Sequence, residues 1–551
     1  MTSSLKVVII GGVAGGMSAA TRLRRLKEDA QIIVFEMGQH VSYANCGLPY
    51  FVSNVISNRD ELLLQTPESL WSRFRIDVRV QTMVTSIAPE SRSVTVKNLV
   101  SGEESTESYD KLVISTGAKP RKLEIPGIER AMVLRNVLDA DEVKAAAQAN
   151  LGKHAVILGA GFIGIELAEN LQHMGISTTI VQRSTTVLSQ FDAEVIEPLQ
   201  ARLVANGVKL ELGNEPVEIT TNEVVLANGK RLPAELVFSA AGVAPDNALA
   251  RQAGLEIGTT GGLWVDEQQR TSDPNIYAAG DAVEKNGQLT GEHILVPLAN
   301  LANRHGRLVA DAIAGIETKA HPAVATAIIG AFGFTAAVTG LTEKAAIKAD
   351  IKHQVIHLHP SNHAGYYPGS KRVSLKLLFD PESGKILGGQ ATGEDGVDKR
   401  IDVIATAIYA GLTVDDLMDL ELAYAPQFGS AKDAINQAGY VGNNVITGNT
   451  PSIQWHELTS AMANGAQLID VRTKAEHSVA SIPGAINIDV NELREHLAEV
   501  QDQNVIVHCA VGQRGHTAVQ ILKGHGKQVR NLDGGFITWQ AGMDALERAG
   551  R

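Results

Sequence analysis

Residues 154–164 read HAVILGAGFIG, an apolar run followed by three glycines in the spacing GxGxxG. In this pattern the glycines allow a tight turn, a close approach of the backbone to a pyrophosphate, and packing of the next helix on the strand. The strand predicted at residues 178–181 ends in Gln182-Arg183-Ser184 rather than in an acid. A neutral residue followed by arginine leaves room for a 2′-phosphate, so we expect Gly159, Gly161, Gly164, Gln182 and Arg183 to bind NAD(P)H and to accept NADPH.

A second glycine turn lies near the start of the chain. The apolar run Lys6–Ile10 is followed by GGVAGG at residues 11–16, where Val13 replaces the second glycine of the full pattern. Glu36 ends the next predicted strand and lies about 20 residues beyond the turn, where a carboxylate can accept hydrogen bonds from ribose hydroxyls. This unit therefore predicts a second dinucleotide site formed by Gly11, Val13, Ala14, Gly15, Gly16 and Glu36.

The chain has only two cysteines, and each lies in a segment suited to a reactive thiol. Cys46 is part of SYANCGLPY (residues 42–50), where we expect the start of a short helix to favour the thiolate. Cys509 is part of HCAVGQRG (residues 508–515), a loop after an apolar strand whose backbone N–H groups and Arg514 can hold an anionic sulfur. A structural disulfide is not expected, and the spacing of neither cysteine predicts a metal site.

The composition is that of a globular chain with several cores. Its 551 residues predict about three or four domains, and 49 basic against 61 acidic residues give a net charge of −12. This charge argues against a general nucleic-acid binder. No apolar run approaches the ~20 residues that span a bilayer, and residues 1–20 fit a strand, a turn and a helix better than a signal peptide. We therefore expect a cytoplasmic α/β protein.

Two further segments extend these observations to a family. They are ISTGA at residues 114–118 and TSDPNIYAAGD at residues 271–281. Together with the two glycine turns, in this order, the segments resemble the two-dinucleotide-binding flavoprotein disulfide reductases. The resemblance implies FAD on the first unit, NAD(P)H on the second, and Asp281 at the flavin ribityl chain. It also implies cofactor contacts from Thr116, Gly117, Gly280, Pro297, Leu298 and Ala299.

The redox segment indicates a branch of that family. Members similar to glutathione reductase have two cysteines four residues apart, whereas this chain has Ser42 and Cys46. The single-cysteine form resembles coenzyme A-disulfide reductases and the related NADH oxidases and peroxidases. The segments NHAGYYPG (residues 362–369) and AYAP (residues 423–426) favour the coenzyme A branch. There, tyrosines corresponding to Tyr366 and Tyr424, with Tyr367 as a less certain neighbour, reach the thiol across a homodimer, and a phenol can protonate a leaving thiolate.

Coenzyme A carries several phosphates, so its pocket needs cations. Ser18, Arg22 and Arg25 recur at i, i+4 and i+7 on one face of the first helix, although a solvated face gives the same pattern. Further candidates of the same kind are Arg73, Asn303 and Lys432. The resemblance also implies coenzyme A contacts from Ser42, Asn45 and Asn362. Histidines 40, 359 and 363 are interpreted as structural rather than as catalytic bases.

The last hundred residues resemble the rhodanese sulfurtransferases. The resemblance rests on LIDVR (468–472), EH (476–477), IPGAINI (482–488), the Cys509 loop and NLDGGF (531–536). It implies that Cys509 carries a persulfide, with Arg514 beside it, and that Asp470 and Arg472 hold the fold together. Gly515 and His516 depart from the more common serine or threonine, so the sulfur donor stays open.

The predicted domains follow these motifs. They are an FAD-binding domain at residues 1–150 and 266–322, an NAD(P)H-binding domain at 151–265, an α+β dimerisation domain at 323–440, a linker at 441–456 and a rhodanese-like domain at 457–551. Both dinucleotide-binding domains are expected to be Rossmann-like.

Three functions are compatible with this organisation. In the first, NAD(P)H reduces coenzyme A disulfide or persulfide through FAD and Cys46, while Cys509 carries sulfane sulfur. In the second, oxygen or peroxide is the acceptor and Cys46 passes through a sulfenic acid. In the third, the C-terminal domain only binds or senses a partner. The expected partners are small thiols, disulfides or persulfides and a second copy of the chain, with neither nucleic acid nor membrane.

Overall fold

A computed structural model describes residues 4–550. Two compact units make up this part of the chain. The first contains the residues up to Val181 and Glu215–Ala323, and the second contains Gln182–Asn214 and the residues from Val324 onwards. No helix among the described residues is long and apolar enough to cross a bilayer.

A parallel five-stranded sheet forms the centre of the first unit. Its strands in spatial order are Ile276–Ala278, Lys111–Ile114, Lys6–Ile10, Gln31–Phe35 and Ile76–Arg79. The central strand Lys6–Ile10 is apolar and buried, as expected for a parallel strand covered on both faces. Its carboxyl end leads into the first glycine turn and the helix Ala14–Leu26, which packs against the helix Ala299–Ile313.

The first unit also contains the second glycine turn. Strand His154–Leu158 pairs in parallel with Ser177–Gln182 and Leu236–Ser239, and the helix Phe162–His173 follows the turn. Two antiparallel three-stranded sheets accompany the parallel sheets: Thr82–Ala88 with Ser93–Asn98 and Glu104–Ser108, and Pro216–Ile219 with Glu223–Leu226 and Arg231–Pro233. The remaining helices of this unit are Leu48–Val52, Pro67–Phe74, Val137–Ala149 and Ala248–Gln252.

The second unit begins with the helix Ala193–Ala205 and the strand Lys209–Leu212. It continues with an antiparallel sheet in the order Ala327–Ala331, Phe334–Gly340, Ile386–Gly393, Val373–Phe379 and Gln354–Leu358. The helices Glu343–Lys348, Val397–Ala410, Val414–Asp419 and Ala434–Ile446 belong to this part. The last of these helices corrects one expectation, because residues 441–446 of the predicted linker are helical. Gly439 and Gly442 let this helix pack closely on Val414 and Met418, and that contact outweighs its Gly/Asn-rich composition.

The C-terminal residues form a parallel five-stranded sheet in the order Ser452–Ile453, Val529–Leu532, Val505–His508, Gln467–Asp470 and Ile486–Asn487. The helices Leu458–Ala463, Lys474–Val479, Gln513–Gly524 and Gly535–Arg548 surround it. The α/β fold class with two glycine-turn units is thereby confirmed. The domain boundaries predicted from the motifs stay predictions. The two compact units are a coarser division of the chain, with a different set of boundaries.

Candidate functional site

The first glycine turn is built for close backbone contact. A Cβ atom at Gly16 would lie 1.9 Å from the carbonyl oxygen of Gly11, so the helix Ala14–Leu26 can start this close to the strand only with glycine there. The Glu36 carboxylate accepts hydrogen bonds from the backbone N–H groups of Gly12 and Gly38, each at 2.8 Å. Glu36 is therefore held at the turn, where the sequence predicts a ribose, and Val13 and Ala14 lie between the glycines.

Polar groups are buried beside this turn with few partners. Asp281 follows Gly280 in a 3-10 turn, and burial raises the pKa of its carboxyl group. Lys285 donates to the carbonyl oxygens of Gly280 and Val283, and burial lowers its pKa to about 8. The Nδ1 atom of His305 is buried without a hydrogen-bond partner among the described residues, and burial lowers the pKa of this ring to about 3. Such a group of buried polar side chains beside a pyrophosphate-type turn fits a dinucleotide.

The remaining predicted cofactor residues of this site lie in the loops nearby. Thr116 donates its hydroxyl hydrogen to the carbonyl oxygen of Asp246 at 2.6 Å, and Gly117 follows it with a positive φ of 71°. Leu298 is the N-cap of the helix that starts at Ala299, and Pro297 precedes it. Lys285 and His305 were missed by the sequence analysis because neither belongs to a motif.

The second glycine turn leads into a helix that contacts the Cys46 segment. Ser53, just after the helix Leu48–Val52, donates a hydrogen bond to the Asn170 side chain. The Tyr50 hydroxyl donates to Glu166 Oε1 at 3.3 Å, and burial raises the pKa of Glu166 to about 7. The helix that follows Gly159, Gly161 and Gly164 is thus bonded to the redox-cysteine segment. Gln182 ends its strand half-buried, and the exposed Arg183 follows.

Cys46 is the second residue of the 3-10 turn Asn45–Gly47 and is accessible to solvent. Partial desolvation, then the carboxylates of Glu166 and Asp281, raise the pKa of its thiol. We expected the helix start to keep the sulfur as a thiolate, and this expectation is corrected. Burial and the two carboxylates oppose ionisation of the thiol, and the following helix is only five residues long. Ser42, with φ of 48°, is anchored to the first glycine turn by a hydrogen bond from its N–H to the Gly12 carbonyl oxygen.

The residues predicted to bind coenzyme A in the first unit form two groups. Ser18 donates to Asn303 Oδ1 at 2.7 Å, which joins the two packed helices. The guanidinium groups of Arg25 and Arg73 both lie over the Phe74 ring, at 5.2 and 6.0 Å from its centroid. Both arginines are exposed, so their charges remain accessible. Arg22 differs, since it is bonded to Asp311 at 2.8 Å, an acid the sequence analysis did not consider.

The two tyrosine segments of the second unit are in contact with each other. The hydroxyl oxygens of Tyr366 and Tyr424 are 3.1 Å apart, and the side chains are 77% and 50% exposed. The N–H of Ala364 donates to the carbonyl oxygens of Pro426 and Gly429, and the Tyr367 hydroxyl donates to Gln427. The paired phenols thus form one exposed surface.

Asn362 and Lys432 flank this surface differently. Asn362 is buried, where it accepts from the Lys371 N–H at 2.8 Å and donates to Asp395 Oδ2 at 2.6 Å. Its side chain therefore shapes the tyrosine loop, while Lys432 is exposed.

The three histidines discussed above all have protein contacts. His363 packs edge-on against Tyr367, with ring centroids 5.7 Å apart. His40 Nε2 lies 3.2 Å from Arg59 Nη2, and burial and that arginine lower its pKa. His359 Nε2 lies 2.8 Å from Thr538 Oγ1.

The Cys509 loop ends in an ion pair that fixes its arginine. Cys509 is fully buried after the strand Val505–His508, and Arg514 lies in the first turn of the helix Gln513–Gly524. Arg514 donates from both terminal nitrogens to the two oxygens of Glu476, each at 2.7 Å. Glu476 and then Cys509 raise the pKa of the guanidinium group, and Arg514 lowers the pKa of Glu476 to about 2. Glu476 is therefore the partner that keeps the arginine beside the sulfur.

Asp470 organises the base of this loop. It accepts hydrogen bonds from Arg472 Nε at 2.9 Å, from Arg472 Nη2 at 2.6 Å and from the Arg472 backbone N–H at 3.0 Å, and one from His477 Nδ1 at 2.8 Å. Arg472 also stacks over the Phe536 ring at 4.4 Å. The buried His508 lies 3.9 Å from Asp470, and burial lowers its pKa to about 4, so this ring is neutral.

Two dinucleotide-binding turns, a redox-type cysteine and an appended cysteine-loop domain define a flavin- and nicotinamide-dependent reductase that carries a sulfurtransferase-like module. The chain belongs to the pyridine nucleotide-disulphide oxidoreductase family, whose sequence profile matches residues 5–306. The dimerisation-domain profile of that family matches residues 326–435, and the rhodanese-like domain profile matches residues 454–542. FAD and NAD(P)H are the cofactors, in agreement with the prediction from the two turns.

The chain is similar to three characterised proteins. It is 34% identical over 436 residues to coenzyme A disulfide reductase of Staphylococcus aureus (strain JH9), which covers 79% of this chain and 99% of that protein. The reduced CoADR-RHD of Bacillus anthracis superposes with a TM-score of 0.96 at 42% identity, over 99% of both chains. An NAD-dependent persulfide reductase from A. fulgidus superposes with a TM-score of 0.92 at 36% identity, over 97% of this chain and 100% of that one.

Proposed function

We propose that this enzyme uses NAD(P)H to reduce coenzyme A disulfide and coenzyme A persulfide through Cys46, and that Cys509 carries sulfane sulfur in the same chain. The observation that supports this most strongly is the presence of two free cysteines in different settings, one accessible and one buried beside an arginine. The relatives named above, a coenzyme A disulfide reductase and a persulfide reductase, point to the same substrates.

The proposed chemistry at Cys46 is thiol–disulfide exchange. The Cys46 thiolate attacks one sulfur of coenzyme A disulfide, a Cys46–coenzyme A disulfide forms, and one coenzyme A thiolate leaves. Two electrons and a proton then cleave this mixed disulfide and restore Cys46 and a second thiol. With the persulfide as substrate, hydrosulfide is the leaving group. FAD, when bound, passes these two electrons from NAD(P)H to sulfur.

The exposed cations of Arg25 and Arg73 are the proposed contacts for coenzyme A phosphates, together with Ser18 and Asn303. Both guanidinium groups are in contact with Phe74, which holds them in place without neutralising them. Arg22 stays a proposed contact, but we expect it to bind a phosphate less strongly, because Asp311 already balances its charge. Ser42, Asn45 and Lys432 stay proposed contacts to the rest of the carrier. Asn362, expected to be a contact, is instead proposed to act by shaping the tyrosine loop, because its side chain is buried and bonded to Lys371 and Asp395.

We propose a homodimer in which Tyr366 and Tyr424 act on the partner's thiol. The two phenols are hydrogen-bonded and exposed, and they lie in the region matched by the dimerisation-domain profile. Tyr366 would give its hydroxyl proton to the leaving thiolate, which departs as the thiol, and the tyrosinate would regain a proton from water. Free reactive thiols suit a reducing compartment, so the cytoplasm stays the proposed location.

The test is anaerobic NAD(P)H consumption by the FAD-loaded protein with coenzyme A persulfide, coenzyme A disulfide and oxygen offered separately. Turnover on the coenzyme A substrates that disappears in Cys46→Ser, with sulfide released from the persulfide, supports the proposal. Cys509→Ala should leave turnover on coenzyme A disulfide unchanged while it abolishes sulfur transfer from thiosulfate to cyanide. Turnover on oxygen alone would favour the oxidase instead.

A further inference from the structure

His357 makes a two-point contact with Asp533 across 176 residues of sequence. Its ring Nδ1 lies 2.7 Å from Asp533 Oδ2, and its backbone N–H donates to Asp533 Oδ1 at 3.1 Å. His357 belongs to the strand Gln354–Leu358 of the antiparallel sheet, whereas Asp533 directly follows the strand Val529–Leu532 of the Cys509 domain. Both side chains are buried. The contact therefore fixes one segment of the Cys509 domain to the reductase part of the second unit.

A buried charge cluster supports the ring of His357 from its other side. His357 Nε2 lies 3.2 Å from Glu194 Oε1, and Lys376 Nζ lies 2.5 Å from the same oxygen. Lys376 also contacts Glu343 at 2.6 Å and Asp192 at 3.0 Å. The acids outnumber the bases in this cluster, and hydrogen bonds to Asp533 and Glu194 overcome burial and raise the pKa of His357 to about 9. The imidazolium can then donate to both acids at neutral pH.

The segment that begins at Asp533 ends on the Cys509 loop. The N–H of Phe536 donates to the Cys509 carbonyl oxygen at 2.8 Å, and the N–H of Ile537 donates to that of Ala510 at 3.1 Å. Between these contacts lie Gly534 and Gly535, both with φ of 65°. A Cβ atom at Gly535 would lie 2.4 Å from the Cys509 carbonyl oxygen, and one at Gly534 would lie 2.7 Å from the Cβ of His357. The segment is thus in close contact with His357 at one end and with Cys509 at the other.

A second histidine reinforces the same segment. His359 Nε2 lies 2.8 Å from Thr538 Oγ1, and its Nδ1 lies 2.9 Å from Ser374 Oγ. Burial lowers the pKa of His359 to about 3, so the ring stays neutral. Thr538 lies in the first turn of the helix Gly535–Arg548. His357 in this strand and His359 just beyond its end therefore both hold residues 533–538 from outside the Cys509 domain.

We propose that His357 is a positioning residue for sulfur transfer at Cys509. By fixing Asp533 it keeps residues 534–537 in the conformation whose N–H groups hold the Cys509 and Ala510 carbonyls, and this orients the rest of the loop towards the sulfur. The inference rests on the proposed sulfur-carrying function of Cys509 and adds to it that the reductase part completes the sulfurtransferase site.

The transfer itself is written for thiosulfate and cyanide. The Cys509 thiolate attacks the outer sulfur of thiosulfate, a Cys509 persulfide forms, and sulfite leaves as the S–S bond breaks. Cyanide then takes the terminal sulfur as thiocyanate and restores the thiolate. No net electrons enter or leave the protein, so this reaction needs neither NAD(P)H nor Cys46.

The same two parts of the chain are joined at a second place, which supplies a matched control. Arg548, at the end of the helix Gly535–Arg548, donates to Glu197 at 2.9 and 2.5 Å. This pair holds the Cys509 domain to the helix Ala193–Ala205 without contacting residues 533–537. Arg548→Gln therefore weakens the attachment of the domain, while His357→Ala removes the contact with Asp533.

The experiment uses the full-length, FAD-loaded protein with Cys46→Ser, which leaves Cys509 as the only thiol. His357→Ala, His357→Asn and Arg548→Gln are compared for sulfur transfer from thiosulfate to cyanide and for the rate at which iodoacetamide alkylates Cys509. We expect His357→Ala to slow sulfur transfer about tenfold or more, because small displacements of reacting groups are costly. Alkylation of the buried thiol should become faster. His357→Asn, whose amide can still donate to Asp533, should restore most of both properties, and Arg548→Gln should change neither.

The outcomes separate the inference from the proposed function. If His357→Ala and Arg548→Gln have equal effects, or if neither has any, His357 does not position the loop. A different outcome is that the Cys46→Ser parent, with no further substitution, transfers no sulfur, while His357→Ala still speeds alkylation of Cys509 and Arg548→Gln does not. In that case the positioning role stands and the sulfur-carrying role of Cys509 is wrong.

Discussion

Arg400 and Asp433 form a buried ion pair that joins the two tyrosine segments. Arg400 donates to Asp433 from Nη2 at 2.7 Å and from Nε at 3.2 Å, and the same Nη2 donates to the Asn362 carbonyl oxygen at 2.7 Å. Asp433 also caps the helix Ala434–Ile446. Asn362 is the first residue of the segment that contains Tyr366, and Asp433 lies nine residues after Tyr424. Through Arg400, this ion pair therefore connects the two segments that carry the phenols.

Arg400→Met should destabilise the protein and separate the tyrosines. Removing Arg400 leaves the buried Asp433 carboxylate with only the longer contact to Lys399, so we expect the free energy of unfolding to fall by about 3 kcal/mol in urea titrations. Turnover on coenzyme A disulfide should fall as well. Lys399→Met is the matched control, because Lys399 approaches Asp433 at 3.4 Å from a more exposed position and should change stability by less than about 1 kcal/mol. Equal effects of the two substitutions would contradict this role of Arg400.

Glu476→Gln should weaken anion binding at the Cys509 loop. The substitution removes the charged partner of Arg514, so the guanidinium group becomes mobile while it stays charged. The pair is about one-third exposed and worth up to about 1 kcal/mol, so we expect the KM for thiosulfate to rise about twofold to fivefold with kcat less affected. The pKa of Glu476 is lowered to about 2, so its contribution is lost only as pH falls towards that value. The effect should therefore be the same from pH 5 to pH 9. Glu495→Gln, an exposed change in the same domain, is the control, and an unchanged KM in Glu476→Gln would refute the assignment.

The backbone of this chain was far easier to predict than its side-chain partners. Lys6–Ile10 and His154–Leu158 were placed from the apolar runs and glycine turns, since strand and turn chemistry are local. The first residues of the predicted linker are helical because Gly442 allows close packing on Val414, which is a tertiary effect. The partners of Cys509 show the same limit. Arg514 lies five residues away and was identified, whereas Glu476 and His357 reach the loop only through the fold.

Glu166→Gln should lower the pKa of the Cys46 thiol. The Glu166 carboxylate, ionised above its pKa of about 7, opposes ionisation of Cys46, and glutamine removes that charge. The measurement is the pH dependence of iodoacetamide alkylation in Cys509→Ala protein, where Cys46 is the only thiol. We expect the midpoint to move to lower pH. Glu169→Gln is the control, because Glu169 raises the pKa of Glu166 and does not act directly on Cys46. A midpoint that stays in place in Glu166→Gln would show that desolvation and Asp281, not Glu166, raise the thiol pKa.

The contribution of His357 to stability should depend on pH. Its pKa rises from an ordinary 6.5 to about 9 in the folded protein, because the hydrogen bonds to Asp533 and Glu194 outweigh the effects of burial and of the Lys376 charge. Stability from a raised pKa is fully present below 6.5 and is lost as pH rises through about 9; the rise corresponds to about 3 kcal/mol. We expect the difference in melting temperature between the unmodified protein and His357→Gln to be largest near pH 6 and to shrink by pH 10. His496→Gln, at an exposed site beside Glu499, should change the melting temperature little at any pH. A difference for His357→Gln that is constant with pH would mean that packing, not the charge of the imidazolium, stabilises the contact with Asp533.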